Sequence, residues 1–190
     1  MTRELVYTGF ITADGIVDSP GGPEEGHPSG GWVFRTPFDA DSYSLKGEEL
    51  SDTTALLFGR RSYEAFAPVW RGSEDHAAYQ DLPKYVVSTT LAEEDLLDGW
   101  GETRILRSTD EVAALRGGDG GGIFIHGSAE LARRLGEADL IDRYNLLIFP
   151  VMLGSGKTIF PEGQRDQQLT LRESAAYANG VVKVVYDVSR

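Results

Sequence analysis

The feature that most constrains this chain is the alternation of short apolar segments with segments of helical character. Leu5–Thr12, Thr54–Phe58 and Ile123–Ile125 are almost entirely apolar, as expected for strands that are covered on both faces. The segment Ala129–Leu135 follows one of them with a helical pattern of apolar residues. Such alternation favours parallel strands joined by crossover helices.

The C-terminal part of the chain follows a different pattern. Leu169–Ala176 and Val181–Val188 are predicted to form an antiparallel pair, which turns at Asn179-Gly180. We therefore predict a single-domain α/β fold over residues 1–190. Its sheet is expected to be mixed but mostly parallel, with about eight strands, a C-terminal antiparallel hairpin and flanking helices. The first three apolar segments should be central, and Val181–Val188 should lie near an edge.

The remaining elements are shorter and are bounded by turn residues. The predicted strands are Lys84–Ser88, Thr103–Leu106 and Asn145–Val151. The predicted helices are Asp39–Leu50, with Asp39 or Asp41 as N-cap, Ser62–Phe66, which should end before Pro68, and Asp110–Leu115.

Composition narrows the classes of function. The net charge of −12 opposes binding to nucleic acid and to anionic membranes. The absence of cysteine excludes disulfides and thiolate chemistry, and three scattered histidines predict no metal site. The N-terminus lacks the apolar core of a signal peptide, so a cytoplasmic location is the default. We expect a small-molecule partner, and an anionic one would need a local basic pocket.

Residues 18–31 contain glycine, proline, serine and acids without an apolar period. A loop of this length is often a functional lid. We expect it to be mobile without ligand and to close over one end of the active cleft.

Three turns with phosphate-binding chemistry follow apolar strands. They are Gly59-Arg60-Arg61-Ser62, Ser88-Thr89-Thr90 and Gly127-Ser128-Ala129. Ligands of open α/β sheets lie beyond the carboxyl ends of the strands. Glycine allows close approach to an anion, helix starts and hydroxyls donate to phosphate oxygens, and arginine forms paired bonds. Each turn alone is also compatible with an ordinary strand-to-helix connection, but the three together favour a phosphate-bearing ligand.

These segments resemble the dihydrofolate reductases. LLFGRRSYEAF, YVVSTTL and IFIHGSAELARRL match, in order, their Gly-Arg turn, their adenosine-side strand and their glycine-rich turn. The chain is more similar to the bacterial group related to the reductase domain of riboflavin biosynthesis. Its FITADG and PVMLGSGKTIF segments match the first strand and the late Pro-x-x-x-Gly-x-Gly-Lys-x-x-Phe segment of that group.

The resemblance implies NADPH as cofactor and a homodimer as the assembly. It implies that the cofactor phosphates are held by Gly59, Arg60, Arg61 and Ser62, that Ser88 and Thr89 line the adenosine side, and that Gly127, Ser128 and Ala129 lie under the pyrophosphate. Adjacent arginines after Gly59 also favour NADPH over NADH, with Arg60 on the 2′-phosphate and Arg61 and Ser88 assisting.

The substrate end is less well defined by the sequence. Asp14 is the candidate for orienting substrate and supplying a proton, with Thr12 beside it. Trp32 and Phe34 are candidates for stacking on the substrate or the nicotinamide, with core packing as the alternative. Lys157 is a candidate contact for an anion. The run LGSGKT around it lacks the first glycine of a P-loop and is not followed by a helical pattern, so we expect a tight turn there.

The resemblance implies an NADPH-dependent reductase acting on a small heterocyclic or ribosylamino-pyrimidine-like substrate. Two alternatives stay open. One is reduction of dihydrofolate or another pterin. The other is a non-catalytic nucleotide-binding or interaction module on the same fold.

Overall fold

An eight-stranded mixed sheet forms the centre of the molecule. The computed structural model describes residues 2–22, 26–160, 162–163 and 166–190. The strand order is β4-β3-β2-β5-β1-β6-β8-β7. The strands are β1 Leu5–Thr12, β2 Thr53–Gly59, β3 Lys84–Val87, β4 Thr103–Leu106, β5 Gly122–His126, β6 Arg143–Phe149, β7 Gln168–Ala176 and β8 Val182–Ser189.

Six strands run parallel, and the last two pair antiparallel at one side. The predicted α/β fold is confirmed, with β2, β5 and β1 adjacent in the middle and β8 next to the edge strand β7. β2, β5 and β1 are central because their residues are apolar on both faces.

Helices cover both faces of the sheet. The α-helices are α1 Ser44–Leu50, α2 Arg60–Trp70, α3 Thr109–Arg116 and α4 Ala129–Glu137. Within β2, Leu57 packs in the cluster that contains residues of α3 and α4, whereas Leu56 and Phe58 pack in the cluster that contains residues of α2. This alternation places α3 and α4 on one face and α2 on the other.

Short 3-10 helices occupy Trp32–Arg35, Ala40–Tyr43, Glu74–Tyr79 and Glu93–Asp95. The predicted helix over Asp39–Leu50 is therefore a 3-10 turn followed by α1, and the Asp39 side chain caps it by accepting from the backbone N–H of Asp41. No helix in the described part of the chain has the length and apolar character to cross a bilayer.

Several predicted boundaries were wrong. Helix α2 starts at Arg60 and continues through Pro68 to Trp70; it was expected to end before the proline. A proline in the last turn interrupts only the end of the helical ladder, and the Trp70 ring packs against Phe58 and Tyr79. Strand β6 ends at Phe149, two residues earlier than predicted, because Pro150 has no N–H for the ladder.

The segments predicted as a lid and as a tight turn lie together. In the lid segment, residues 23–25 fall outside the described residues, and its mobility stays a prediction. His27 Nε2 lies 3.0 Å from the Ser155 carbonyl oxygen, and Trp32 Nε1 donates to the Asp18 carbonyl. Residues 151–160 contain neither helix nor strand, so no helix directly follows Lys157 as a P-loop would require.

Candidate functional site

A cleft of about 1410 Å³ lies at the carboxyl ends of the parallel strands. All three turns predicted to bind phosphate line it, because β2, β3 and β5 are parallel and therefore end at the same edge of the sheet. We refer to this end of the cleft, together with Arg107–Thr109, as the turn half. The opposite end is lined by residues of β1, α1 and the 3-10 helix Glu74–Tyr79, and we call it the inner half.

Two helix N-termini face the turn half without a side-chain cap. Helix α2 follows Gly59 and helix α4 follows Ser128, and neither preceding residue caps its helix. Ser128 Oγ instead accepts from the Gly59 N–H at 2.8 Å, which ties the two turns together. Gly127 and Ser128 both adopt left-handed backbone with φ of 61°. The first N–H groups of both helices are therefore left for an anion in the cleft.

The two adjacent arginines differ in their pairing. Arg60 donates to Glu64 Oε1 at 2.7 Å and to Thr90 Oγ1 at 2.8 Å, and the bond to Glu64 raises the pKa of Arg60. Arg61 lines the same cleft, and no residue in the described part of the chain pairs with its guanidinium. Arg61 is thus a free cation beside the two helix starts.

A third arginine, which the sequence prediction missed, supports the Ser88-Thr89-Thr90 turn. Arg107 Nη1 donates to the carbonyls of Ser88 and Leu91 at 2.9 and 2.7 Å. The Ser88 hydroxyl accepts from the N–H groups of Thr90 and Leu91. Arg107 directly follows β4, and a position after a strand end was the signal that could have identified it.

The inner half has a buried polar network. Glu49 Oε1 accepts from Thr8 Oγ1 at 2.6 Å and from Asn145 Nδ2 at 2.7 Å, and Glu49 Oε2 lies 3.3 Å from Lys46 Nζ. Lys46 also contacts the Thr8 hydroxyl. Lys46 and Thr8 line the cleft. These residues were not predicted, although Thr8 is a polar residue within a buried strand and Lys46 and Glu49 have the i, i+3 spacing of helix neighbours.

Aromatic rings form the wall opposite α1. The Trp70 and His76 rings are stacked, with their centroids 4.6 Å apart. The His126 ring makes edge-to-face contacts with Trp70 and Tyr79, at centroid distances of 5.2 and 5.4 Å. Burial, followed by the charges of Lys46 and His76, lowers the pKa of His126 well below its usual value. The imidazole is therefore neutral at pH 7. His126 Nε2 is buried, and no other described residue forms a hydrogen bond with it.

Of the predicted substrate residues, Lys157 lines the cleft, where Nζ pairs with Asp18 Oδ1 at 2.8 Å. Trp32 is fully buried against Phe149, which is the core-packing alternative, and Phe34 is 77% exposed. Neither ring lines the cleft.

Thr12 and Asp14 form a turn outside the cleft lining. The Asp14 carboxylate accepts from the Thr12 hydroxyl and from the N–H groups of Leu153 and Gly154. The Thr12 bond, followed by the Gly154 bond, lowers the pKa of Asp14. A carboxyl held in its ionised form is a poor proton donor at neutral pH.

We expect Asp14→Asn to reduce stability by about 1 kcal/mol, because a carboxylate that accepts two backbone bonds is lost from a solvent-screened turn. The folded-state pKa lies below the unfolded value, so this contribution is present above about pH 4 and is lost as the pH falls. Urea denaturation at pH 7 and pH 3 measures it. A difference from wild type that persists undiminished at pH 3 would contradict the assignment.

No group of three or more His, Asp or Glu side chains within the described ranges is arranged to hold a metal ion.

The model of the RibD C-terminal domain family matches residues 3–183. Two proteins of Bacillus subtilis (strain 168), both named as uncharacterized, are similar along nearly their whole length. YyaP is 26% identical over 191 residues, covering 97% of this chain and 94% of its own. YwjB is 33% identical over 188 residues, covering 95% and 96%.

Solved structures share the fold at low identity. A putative riboflavin biosynthesis protein from Shewanella sp. PV-4 superposes with a TM-score of 0.73 at 18% identity, covering 100% of both chains. A pyrimidine reductase-like protein from Corynebacterium diphtheriae has a TM-score of 0.66 at 14% identity, covering 99% of this chain and 92% of its own. Dihydrofolate reductase from Enterococcus faecalis, complexed with NADP(H), has a TM-score of 0.63 at 13% identity and full coverage of both chains.

Proposed function

Because the chain belongs to the RibD C-terminal domain family, we propose that it is an NADPH-dependent reductase of a small heterocyclic or ribosylamino-pyrimidine-like substrate. The observation that carries the proposal is the convergence, on one wall of the cleft, of two uncapped helix N-termini and of Arg61, which no other described residue pairs with. Such a wall suits a pyrophosphate, which needs several N–H donors and a cation.

The described residues fit a dinucleotide along the turn half. The proposed phosphate contacts are Gly59–Ser62, with Gly127–Ala129 beneath the pyrophosphate and Ser88 and Thr89 beside the adenosine. The side chains of Arg61, Ser62 and Thr89 are not engaged by other described residues, so they are available as donors. When bound, the reduced nicotinamide supplies a hydride to a C=N or C=O carbon.

The inner half is the proposed substrate site. Thr8, Phe10 and Lys46 line it on one side, and His76 and Tyr79 line the other. The accompanying proton would come from solvent, because Asp14 does not line the cleft. Dihydrofolate has less support as substrate, since the buried carboxylate beside this half, Glu49, is already paired with Lys46.

Steady-state NADPH oxidation with a panel of pterins and ribosylamino-pyrimidines tests the proposal. Turnover on a ribosylamino-pyrimidine would support it, and preferred turnover on dihydrofolate would select the pterin alternative. Tight NADPH binding without turnover on any compound would point to a non-catalytic nucleotide-binding module.

Gly127→Ala should weaken NADPH and NADH binding alike, severalfold. A Cβ there would lie 3.3 Å from the Phe66 ring and 3.4 Å from Ser62 Oγ, at a φ that disfavours side chains. Gly99→Ala is the matched control, because Gly99 has φ of 74° in open space away from the cleft. Fluorescence titration measures both dissociation constants. Equal effects of the two substitutions would show that the Gly127 turn does not belong to the cofactor site.

We also propose that the protein is a homodimer, as the family resemblance implies. The edge strand β7 carries Leu171, which is 54% exposed. Sedimentation equilibrium of the wild-type protein tests the assembly, and a monomer at all concentrations would exclude it.

A further inference from the structure

A second groove adjoins the cleft, between helix α4 and the turn formed by residues 156–158. Its volume is about 530 Å³, which is within the usual range of small-molecule sites. It shares part of its lining with the cleft, but four residues line the groove alone: Arg133, Glu137, Gly156 and Thr158. The groove therefore has a set of polar groups of its own.

Three cations line this groove, in a chain whose net charge is −12. Two of them already have a carboxylate, since Arg134 pairs with Glu130 at 2.6 Å and Lys157 pairs with Asp18 at 2.8 Å. Arg133 forms no ion pair with another described residue, and its Nε is buried without a hydrogen-bond partner among them. The buried Nε restricts the position of the guanidinium, so its terminal nitrogens are left as donors without a counter-charge.

The turn on the opposite wall contributes uncharged donors. The backbone N–H groups of Gly156 and Thr158 form no hydrogen bond with other described residues. The Thr158 hydroxyl accepts from the Phe160 N–H at 3.1 Å, which leaves its own proton to donate. A Cβ at Gly156 would lie 2.6 Å from the Ile16 side chain, at a φ of 141° that favours glycine. The LGSGKT run, which is not a P-loop, thus places hydrogen-bond donors along the groove.

The chemistry of this lining favours an anion with several acceptor oxygens. A phosphate group has more of them than a carboxylate, and arginine binds phosphate with paired, charge-assisted bonds. We propose that the groove binds the phosphate group of a small phosphomonoester, with Arg133 as its principal cation. None of the described residues that line the groove belongs to the inner half, and Arg133 does not line the cleft. The inference therefore goes beyond the proposed function and does not rest on it.

Calorimetric titration with phenyl phosphate at saturating NADP⁺ tests the groove, because NADP⁺ excludes this probe from the proposed cofactor site. Wild type should bind phenyl phosphate saturably. Benzyl alcohol, a ring of similar size without the charge, should bind roughly tenfold more weakly or not at all. Arg133→Met should weaken phenyl phosphate binding roughly tenfold and leave the dissociation constant of NADP⁺ unchanged, because Arg133 is not part of the cleft lining.

Glu137→Gln should change the same affinity in the opposite direction. Glu137 lines the groove and lies four residues after Arg133 on α4, so its carboxylate repels an anion there and competes for the guanidinium. Removing this charge should tighten phenyl phosphate binding severalfold. Thermal midpoints show whether each variant is folded, and Glu137→Gln keeps the test valid if the Arg133 variant unfolds.

Arg172→Met is the matched control for the loss of one arginine. Arg172 is exposed, pairs with Asp187 and lines neither the groove nor the cleft. This substitution changes the net charge by the same amount as Arg133→Met, and it should leave phenyl phosphate binding unchanged.

Four results would overturn the inference: no saturable binding of phenyl phosphate, equally tight binding of benzyl alcohol, equal losses in Arg133→Met and Arg172→Met, or displacement of the probe in proportion to NADP⁺ occupancy. Any of these results leaves the proposed cofactor site intact. Protein that binds phenyl phosphate through Arg133 but fails to bind NADP⁺ would instead overturn the proposed function and support the groove.

Discussion

Replacing Arg60 with alanine is expected to raise the dissociation constant for NADPH on the order of tenfold to a hundredfold and to change that for NADH by less than about twofold. The two cofactors differ only in the 2′-phosphate, so selection between them needs positive charge at the adenosine end. In the proposed cofactor site Arg60 serves this end, and its guanidinium donates to Thr90 Oγ1 in the turn half. Arginine can bind a phosphate with paired bonds, which lysine cannot.

The ion pair between Glu64 and Arg60 leads to a second substitution that tests the same contact. It holds Arg60 Nε at 2.7 Å from one helical turn away, and both side chains are nearly half exposed. An incoming phosphate must compete with this carboxylate and is also repelled by it. We therefore expect Glu64→Gln to tighten NADPH binding severalfold and to leave NADH binding nearly unchanged.

Arg104→Ala is the control for a change in net charge, because Arg104 is an exposed arginine paired with Glu102 outside the cleft lining. It should leave both dissociation constants unchanged. Equal binding of the two cofactors by wild type, or equal weakening of both in Arg60→Ala, would mean that Arg60 does not bind the 2′-phosphate.

The sheet could be predicted because each central strand is a local run of mostly apolar residues. Leu5–Thr12 is mostly apolar, and its predicted bounds are those of β1. The errors arose where distant contacts decided the boundary. Arg143, predicted to lie outside β6, is part of the strand because it faces Asp187 on β8 and pairs with it at 2.9 Å. No local pattern contains that information.

The sequence predicted one half of the cleft better than the other, again because local patterns are visible in a sequence and distant contacts are not. The turns of the proposed cofactor site are continuous segments that combine glycine, hydroxyl and arginine residues, so they can be recognised along the chain. The inner network joins Thr8, Lys46, Glu49 and Asn145, which are separated by up to 137 positions and are individually ordinary. Asp14 had the stronger local signal, an acid in a glycine turn, but its bonds to Leu153 and Gly154 make it a structural residue.

The aromatic wall of the inner half depends on one buried lysine behind it. Lys84 is fully buried at the start of β3 and donates to the carbonyls of Tyr79, Gln80 and Leu82 at 2.6, 2.9 and 2.8 Å. Its ammonium also lies 4.7 Å from the centroid of the Trp100 ring. Burial lowers the pKa of Lys84 to about 8, while the charge of Asp81 opposes the shift. The group is thus mostly protonated at pH 7 and has three donors for three carbonyls.

Lys84→Met should therefore destabilise the protein by about 3–5 kcal/mol at pH 7, because a side chain of similar length fills the space but leaves three buried carbonyls without a donor. Urea denaturation measures the loss, and hydrogen exchange should locate it in the segment that ends with Lys84. Gly101→Ala tests the same site independently, since a Cβ there would lie 2.7 Å from the Gln80 oxygen and 2.9 Å from Lys84 Nζ. A Lys84→Met variant within about 1 kcal/mol of wild type would show that these carbonyls find other partners and that the ammonium does not support the wall.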